Sequence, residues 1–118
     1  MPGERIVVVT DDPRIADEAR IGFAPDVVIE IVRDAREALA SMARSVPSVA
    51  VVDLQTGSAG GFGLARDMHQ DDRLKEIPIL MLLERDQDAW LAKQAGAAAF
   101  RTKPVELSGL VADTLALI

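Results

Sequence analysis

Short blocks of continuous apolar residues alternate along the chain with longer stretches in which apolar residues recur every three or four positions. The blocks are Ile6–Thr10, Val27–Val32, Val49–Val52, Ile79–Leu83 and a weaker one, Ala97–Thr102. Branched aliphatic runs with no polar alternation predict strands covered on both faces. Helical periodicity fills the intervals. Asp12 suits a cap and Pro13 a first helical position, with Ile15 and Ala19 on one face and Gly22 at the end. Asp34 and Glu37 have capping-box spacing, and Ala35, Ala38, Leu39 and Met42 form the stripe behind them. After Gly57, Gly60 and Gly61 a third helix turns Leu64, Ala65 and Met68 inward. Asp86 or Asp88 caps a short fourth helix that Gly96 closes. The last helix, Val105–Ile118, predicts a stripe of Leu107, Leu110, Val111, Leu115 and Ile118.

Five successive strand-then-helix units imply an α/β fold: one doubly wound, five-stranded parallel sheet with helices on both faces. At 118 residues, only one such unit fits, so residues 1–118 are expected to form a single domain. Hydrophobic residues make up 49% of the chain but only three Phe and one Trp are present, so the core is expected to be aliphatic and alanine-rich. No apolar run approaches the ~20 residues of a membrane span. Met1 to Arg5 lacks a signal-peptide pattern, and a cytoplasmic location is the expectation. The absence of cysteine excludes disulfides and thiolate metal sites. A net charge of −6 argues against nucleic-acid binding by this domain.

In open parallel sheets, ligands bind beyond the carboxyl ends of the strands, at the switch in strand order. Asp11 and Asp12 follow the first strand, Asp53 ends the third and Lys103 follows the fifth. In a sheet ordered 2-1-3-4-5 these residues converge. Like charges ~4 Å apart repel by about 4 kcal/mol per pair at an effective dielectric near 20, which one lysine cannot offset. A divalent cation can, and hard carboxylate oxygens suit Mg²⁺ with phosphate as co-ligand. An Asp beside Mg²⁺ and Lys⁺ is then a nucleophile toward a phosphoryl group.

At these residues the chain resembles the receiver domains of two-component response regulators, over essentially its full length. The resemblance lies in Val9-Thr10-Asp11-Asp12, Val51-Val52-Asp53-Leu54, Gly61, Ile77-Pro78-Ile79-Leu80, Ala95-Gly96-Ala97 and Thr102-Lys103-Pro104-Val105, in that order. It implies a flavodoxin-like sheet ordered 2-1-3-4-5, with Asp53 as phosphoacceptor and Lys103 on the phosphoryl group. Asp11, Asp12 and Asp53 would hold Mg²⁺ with the backbone carbonyl of Gln55, and Lys103-Pro104 would be a cis peptide. The implied partners are a histidine kinase or phosphotransfer protein, and an output partner or second copy on the fourth helix, fifth strand and last helix. Such a domain is no enzyme beyond Mg²⁺-dependent phosphorylation and dephosphorylation of itself.

Three departures from the family pattern stand out. Leu83 and Glu84 end the fourth strand where the family places a Thr or Ser followed by a small residue. A lost charge-assisted hydrogen bond costs about 1.5–3 kcal/mol, so the hydroxyl-driven switch is expected to be weakened or absent. The segment from Leu83 to Gly96 is short, which predicts a short or shifted fourth helix. Gly57 stands where proline is frequent, and Phe100 fills the aromatic position of the fifth strand without a hydroxyl. A second reading is therefore a phosphorylation-independent adaptor. A Walker loop is excluded because no Gly-Lys-Ser/Thr follows Gly57–Gly61, and Gln55 stands where an aspartate-based phosphatase has its second acid. His69 is expected to be solvated, and Trp90 to pack in the core unless exposed, when it becomes a partner contact.

Overall fold

A computed structural model describes residues 4–53 and 60–118. Along the chain run β1 (Arg5–Val9), α1 (Pro13–Gly22), β2 (Val28–Val32), α2 (Ala35–Arg44), β3 (Val49–Asp53), α3 (Gly60–Gln70), β4 (Ile79–Leu83), a 3-10 turn (Asp86–Asp88), α4 (Ala89–Gln94), β5 (Ala99–Thr102) and α5 (Leu107–Leu115). Among the described residues the strands form one sheet in the order β2-β1-β3-β4-β5, and every pairing is parallel. This is the expected architecture and order.

The central strands β3 and β4 are buried at every position, as uninterrupted apolar runs require. The pleat sends alternate side chains to two cores. Val7, Val9, Val52, Met81 and Leu83 meet Ala38 and Met42 of α2, Leu64 and Met68 of α3 and Ala92 of α4. Ile6, Val8, Val51, Leu80 and Leu82 meet Ile15 and Ala19 of α1 and Leu110 of α5.

The helix ends follow their local chemistry, with some corrections. Asp34 caps α2 through Glu37 N–H at 2.9 Å, while the Glu37 carboxylate reaches back to Arg33 N–H at 3.0 Å. The box is thus closed one residue upstream of the expected position. Gly22 is the last residue of α1, as expected, and lies against α5: a Cβ there would fall 2.5 Å from Leu107 Cδ1. Gly96 does have a left-handed φ of 88°. Its N–H donates to Lys93 O and Ala97 N–H to Ala92 O, both at 3.0 Å, which is the Schellman closure of α4. The α5 stripe ends earlier than expected. Leu115 and Ile118 are exposed, and Thr114 occupies the buried position by donating its hydroxyl to Leu110 O at 2.7 Å.

Candidate functional site

Three strand ends meet at one place. Asp53, the last residue of β3, has no exposed surface. Its Oδ2 accepts from Lys103 Nζ at 2.7 Å and from Thr10 Oγ1 at 2.8 Å. Lys103 arrives there because its backbone N–H donates to Leu83 O at 2.7 Å, extending the β4–β5 ladder one step beyond the strand. The Lys103-Pro104 bond that follows is cis, as expected. Thr10, just past β1, performs two tasks: its hydroxyl donates to Asp53 and accepts from Asp12 N–H at 3.0 Å.

Asp12 Oδ1 accepts from Arg14 N–H at 2.9 Å as the α1 cap, and its Oδ2 stands 3.7 Å from Lys103 Nζ. Capping and site geometry are therefore shared by one carboxylate. Asp11 is exposed beside it. Glu84, exposed past β4, turns back so that its Oε1 accepts from Lys103 Nζ at 3.1 Å. Burial works against the Lys103 ammonium, but the hydrogen bonds and charges of Asp53 and Glu84 outweigh it and hold its pKa above the ordinary value. Lys103 is a cation throughout the neutral range.

Above these groups opens a cavity of about 630 Å³ lined by Asp11, Asp12, Glu84, Arg85, Asp88 and Lys103. Four carboxylates face two cations there, with a fifth acid, Asp53, beneath. The donors toward a cation are hard oxygens, and their negative excess is the chemistry that a Mg²⁺ ion balances. The acids are arranged around the cavity rather than clustered. Among the described residues, no three carboxylate or imidazole groups gather tightly enough to hold a metal by themselves. Gln55 and Gly57 lie outside the described residues.

The matching family model is the response regulator receiver domain, over residues 6–114. The chain belongs to that family. Relatives include the DNA-binding dual master transcriptional regulator RpaA of Synechocystis sp., 29% identical over 97% of this chain and 48% of its own length. Response regulator MprA of Mycolicibacterium vanbaalenii is 30% identical over 97% of this chain and 50% of its own length. The chain thus spans about half the length of these curated relatives. Among solved structures, chemotaxis response regulator CheY4 of Vibrio cholerae superposes with a TM-score of 0.90 at 22% identity, covering 98% of this chain and 99% of that one.

The structure places the residues at and after the end of β4 that are expected to depart from the receiver pattern. Leu83 is fully buried in the core beneath α2–α4 and presents no donor to the cavity. The 3-10 turn and the six-residue α4 are short, as the spacing predicts. The expected acidic cap fails: Asp88 stands at the α4 cap position but makes no side-chain cap bond, because its backbone is helical (φ −76°, ψ −6°) rather than extended, and its carboxylate accepts from Arg85. Phe100 is partly exposed with Lys93 Nζ 5.8 Å from its ring centroid, so a cation covers the face. Trp90 is 65% exposed, not in the core: it lies two positions from the buried Ala92, roughly 200° around the helix, so when Ala92 faces inward Trp90 faces out. His69 is exposed, yet its ring nitrogen lies 3.1 Å from Gly96 O, so it seats on the end of α4 rather than standing free in solvent.

Two site residues escape a reading of charge alone. Thr10 looks like the end of a β-branched run, and only its polarity beside two acids hints at a hydroxyl aimed inward. Arg85 looks like one of many solvated charges.

Proposed function

We propose that Asp53 accepts a phosphoryl group, that Asp11 and Asp12 hold Mg²⁺ with Asp53 and the Gln55 carbonyl, and that residues 1–118 act as one receiver unit. The observation that carries this reading is the 2.7 Å bond from Lys103 Nζ to the buried Asp53 Oδ2. Lys103 and Thr10 hold the carboxylate of Asp53 in place, and one of its oxygens is the nucleophile. It attacks phosphorus while the bond from phosphorus to the donor's nitrogen or oxygen breaks, and the leaving group keeps that electron pair and takes a proton. Lys103 neutralises charge on the transferred group, and a bound Mg²⁺ would supply further neutralisation of its oxygens. Hydrolysis reverses the carboxylate to its starting state.

The donor would be a histidine kinase or phosphotransfer protein in the cytoplasm. Exposed Trp90, Leu91 and Phe100 support an output or self-association surface on α4 and β5. No helix among the described residues is long and apolar enough to cross a membrane. The buried Leu83 favours one competing reading, an adaptor that binds partners without phosphate.

The test is intact mass after incubation with Mg²⁺ and a small phosphodonor. One phosphoryl adduct is expected, absent in Asp53→Asn. If no Asp53-dependent adduct forms, the acceptor reading fails and the adaptor stands.

A further inference from the structure

Leu83 leaves β4 without a side-chain donor at the cavity, and Glu84 faces it as an acid. The next residue is a cation. Arg85 lines the cavity together with Asp11, Asp12 and Lys103, and a guanidinium is a planar fork suited to phosphoryl oxygens. Its present partner is Asp88, Nη2 to Oδ1 at 3.2 Å. The two sides of this pair are unlike. The Arg85 side chain is 68% exposed and free to swing, whereas that of Asp88 is 9% exposed and fixed. Asp88 also occupies the cap position of α4 without performing the capping bond.

We propose that Arg85 is the phosphoryl ligand at the β4 end of this receiver, and that it reaches the group by exchanging Asp88 for it. This inference rests on Asp53 being the acceptor. Phosphorylation replaces a carboxylate by a more highly charged group whose three outer oxygens all accept. Lys103 is already shared between Asp53 and Glu84. Among the described residues lining the cavity, Arg85 is the other cation. Once Arg85 leaves, Asp88 is a buried carboxylate without its ion pair, an arrangement that costs free energy until a donor is found. Ala89 N–H is already taken by Asp86 O. The donors within reach are the N–H groups of the next two residues, which Asp88 would cap on moving from its helical backbone (φ −76°, ψ −6°) to an extended one. The exchange therefore rebuilds the start of α4, doing through a salt-bridge swap what a hydroxyl at residue 83 would have done through a hydrogen bond. Trp90, two residues on and the only tryptophan, reports the change.

The experiment titrates beryllium fluoride with Mg²⁺ into the protein, following Trp90 emission and binding by calorimetry, in the parent, Asp53→Asn, Arg85→Ala and Asp88→Asn. The parent should bind with an emission change, and Asp53→Asn should not. Arg85→Ala should bind about tenfold more weakly, the loss of a charge-assisted bond discounted for exposure, and should lose the emission change even at saturation. Asp88→Asn, which frees Arg85 in advance, should bind several-fold tighter. Parent-like binding and emission in Arg85→Ala overturns the assignment while leaving Asp53 as acceptor. Weaker binding with a full emission change, or weaker binding in Asp88→Asn, overturns the exchange. No Asp53-dependent binding in the parent overturns the acceptor reading and this inference together.

Discussion

The ends of β1, β3 and β5 and the end of β4 border the same cavity but are built on opposite principles. On the first side the buried acid and the helix cap are tied down: Asp53 to Thr10 and Lys103, Asp12 to Arg14, with bonds of 2.7–2.9 Å. On the second side Leu83 contributes only packing, Glu84 leans across to Lys103, and Arg85 holds Asp88 through one 3.2 Å contact. Rigidity favours a nucleophile that must stay aimed, because small misplacements are costly in rate. A pair with one exposed member favours rearrangement, because Arg85 can leave through solvent while Asp88 stays in place. The contrast assigns chemistry to one side of the cavity and response to the other.

Leu83→Thr strikes that contrast hardest. Replacing a fully buried leucine by a smaller hydroxyl-bearing residue should destabilise the fold by about 2–4 kcal/mol in urea unfolding. If the β4 end is otherwise intact, the new hydroxyl should tighten beryllium fluoride binding despite that loss. No tightening would show that the backbone at residue 83 is misplaced for the role. Thr10→Val tests the rigid side. It keeps the shape and removes the donor to a buried carboxylate, so a loss of about 1.5–3 kcal/mol is expected together with slower adduct formation. Unchanged kinetics would mean that Asp53 is aimed without Thr10.

Glu84→Ala is milder, since its side chain is 40% exposed. A stability change of at most about 0.5 kcal/mol is expected, with adduct formation a few-fold faster as Lys103 loses its second carboxylate. Slower formation would instead make Glu84 a support that positions the lysine. The smallest effect lies outside the cavity. The Arg5 hydrogen bond, reinforced by Ser41 and opposed by burial, holds the Glu30 carboxyl below its ordinary 4.5. A lowered acid stabilises the fold above its unfolded pKa, and that contribution disappears as pH falls through the folded value. Glu30→Gln should flatten the loss of stability below about pH 4.5 while leaving beryllium fluoride binding at neutral pH unchanged, which separates general acid sensitivity from events at the cavity.

The strand frame and the acid–lysine set were readable because both follow from period and position. Ile79–Leu83 has one interpretation as a buried strand, and residues that follow parallel strands must meet at the sheet's carboxyl edge. Trp90 was harder, since a six-residue helix gives too few positions to define an inward face. The Leu115 and Ile118 misreading arose because Thr114 hides its hydroxyl in a bond to the preceding turn and passes as apolar. The Arg85–Asp88 pairing has no sequence signature: i,i+3 spacing permits it, but so does the cap that Asp88 declines.

The two ends of α4 also differ in how firmly they are held. At its carboxyl end the Schellman closure at Gly96 and the His69 ring fix the backbone to α3. At its amino end Asp88 makes no side-chain cap bond, and only the backbone of the 3-10 turn leads in. A rod of six residues, about 9 Å long at 1.5 Å per residue, clamped at one end acts as a lever with its fulcrum at Gly96. Any displacement at Asp88 then appears as rotation, nearly nil beside His69 and greatest where Trp90 meets solvent. The indole is thus carried at the long end of the arm, where a small change of partner inside the cavity becomes the largest movement on the surface.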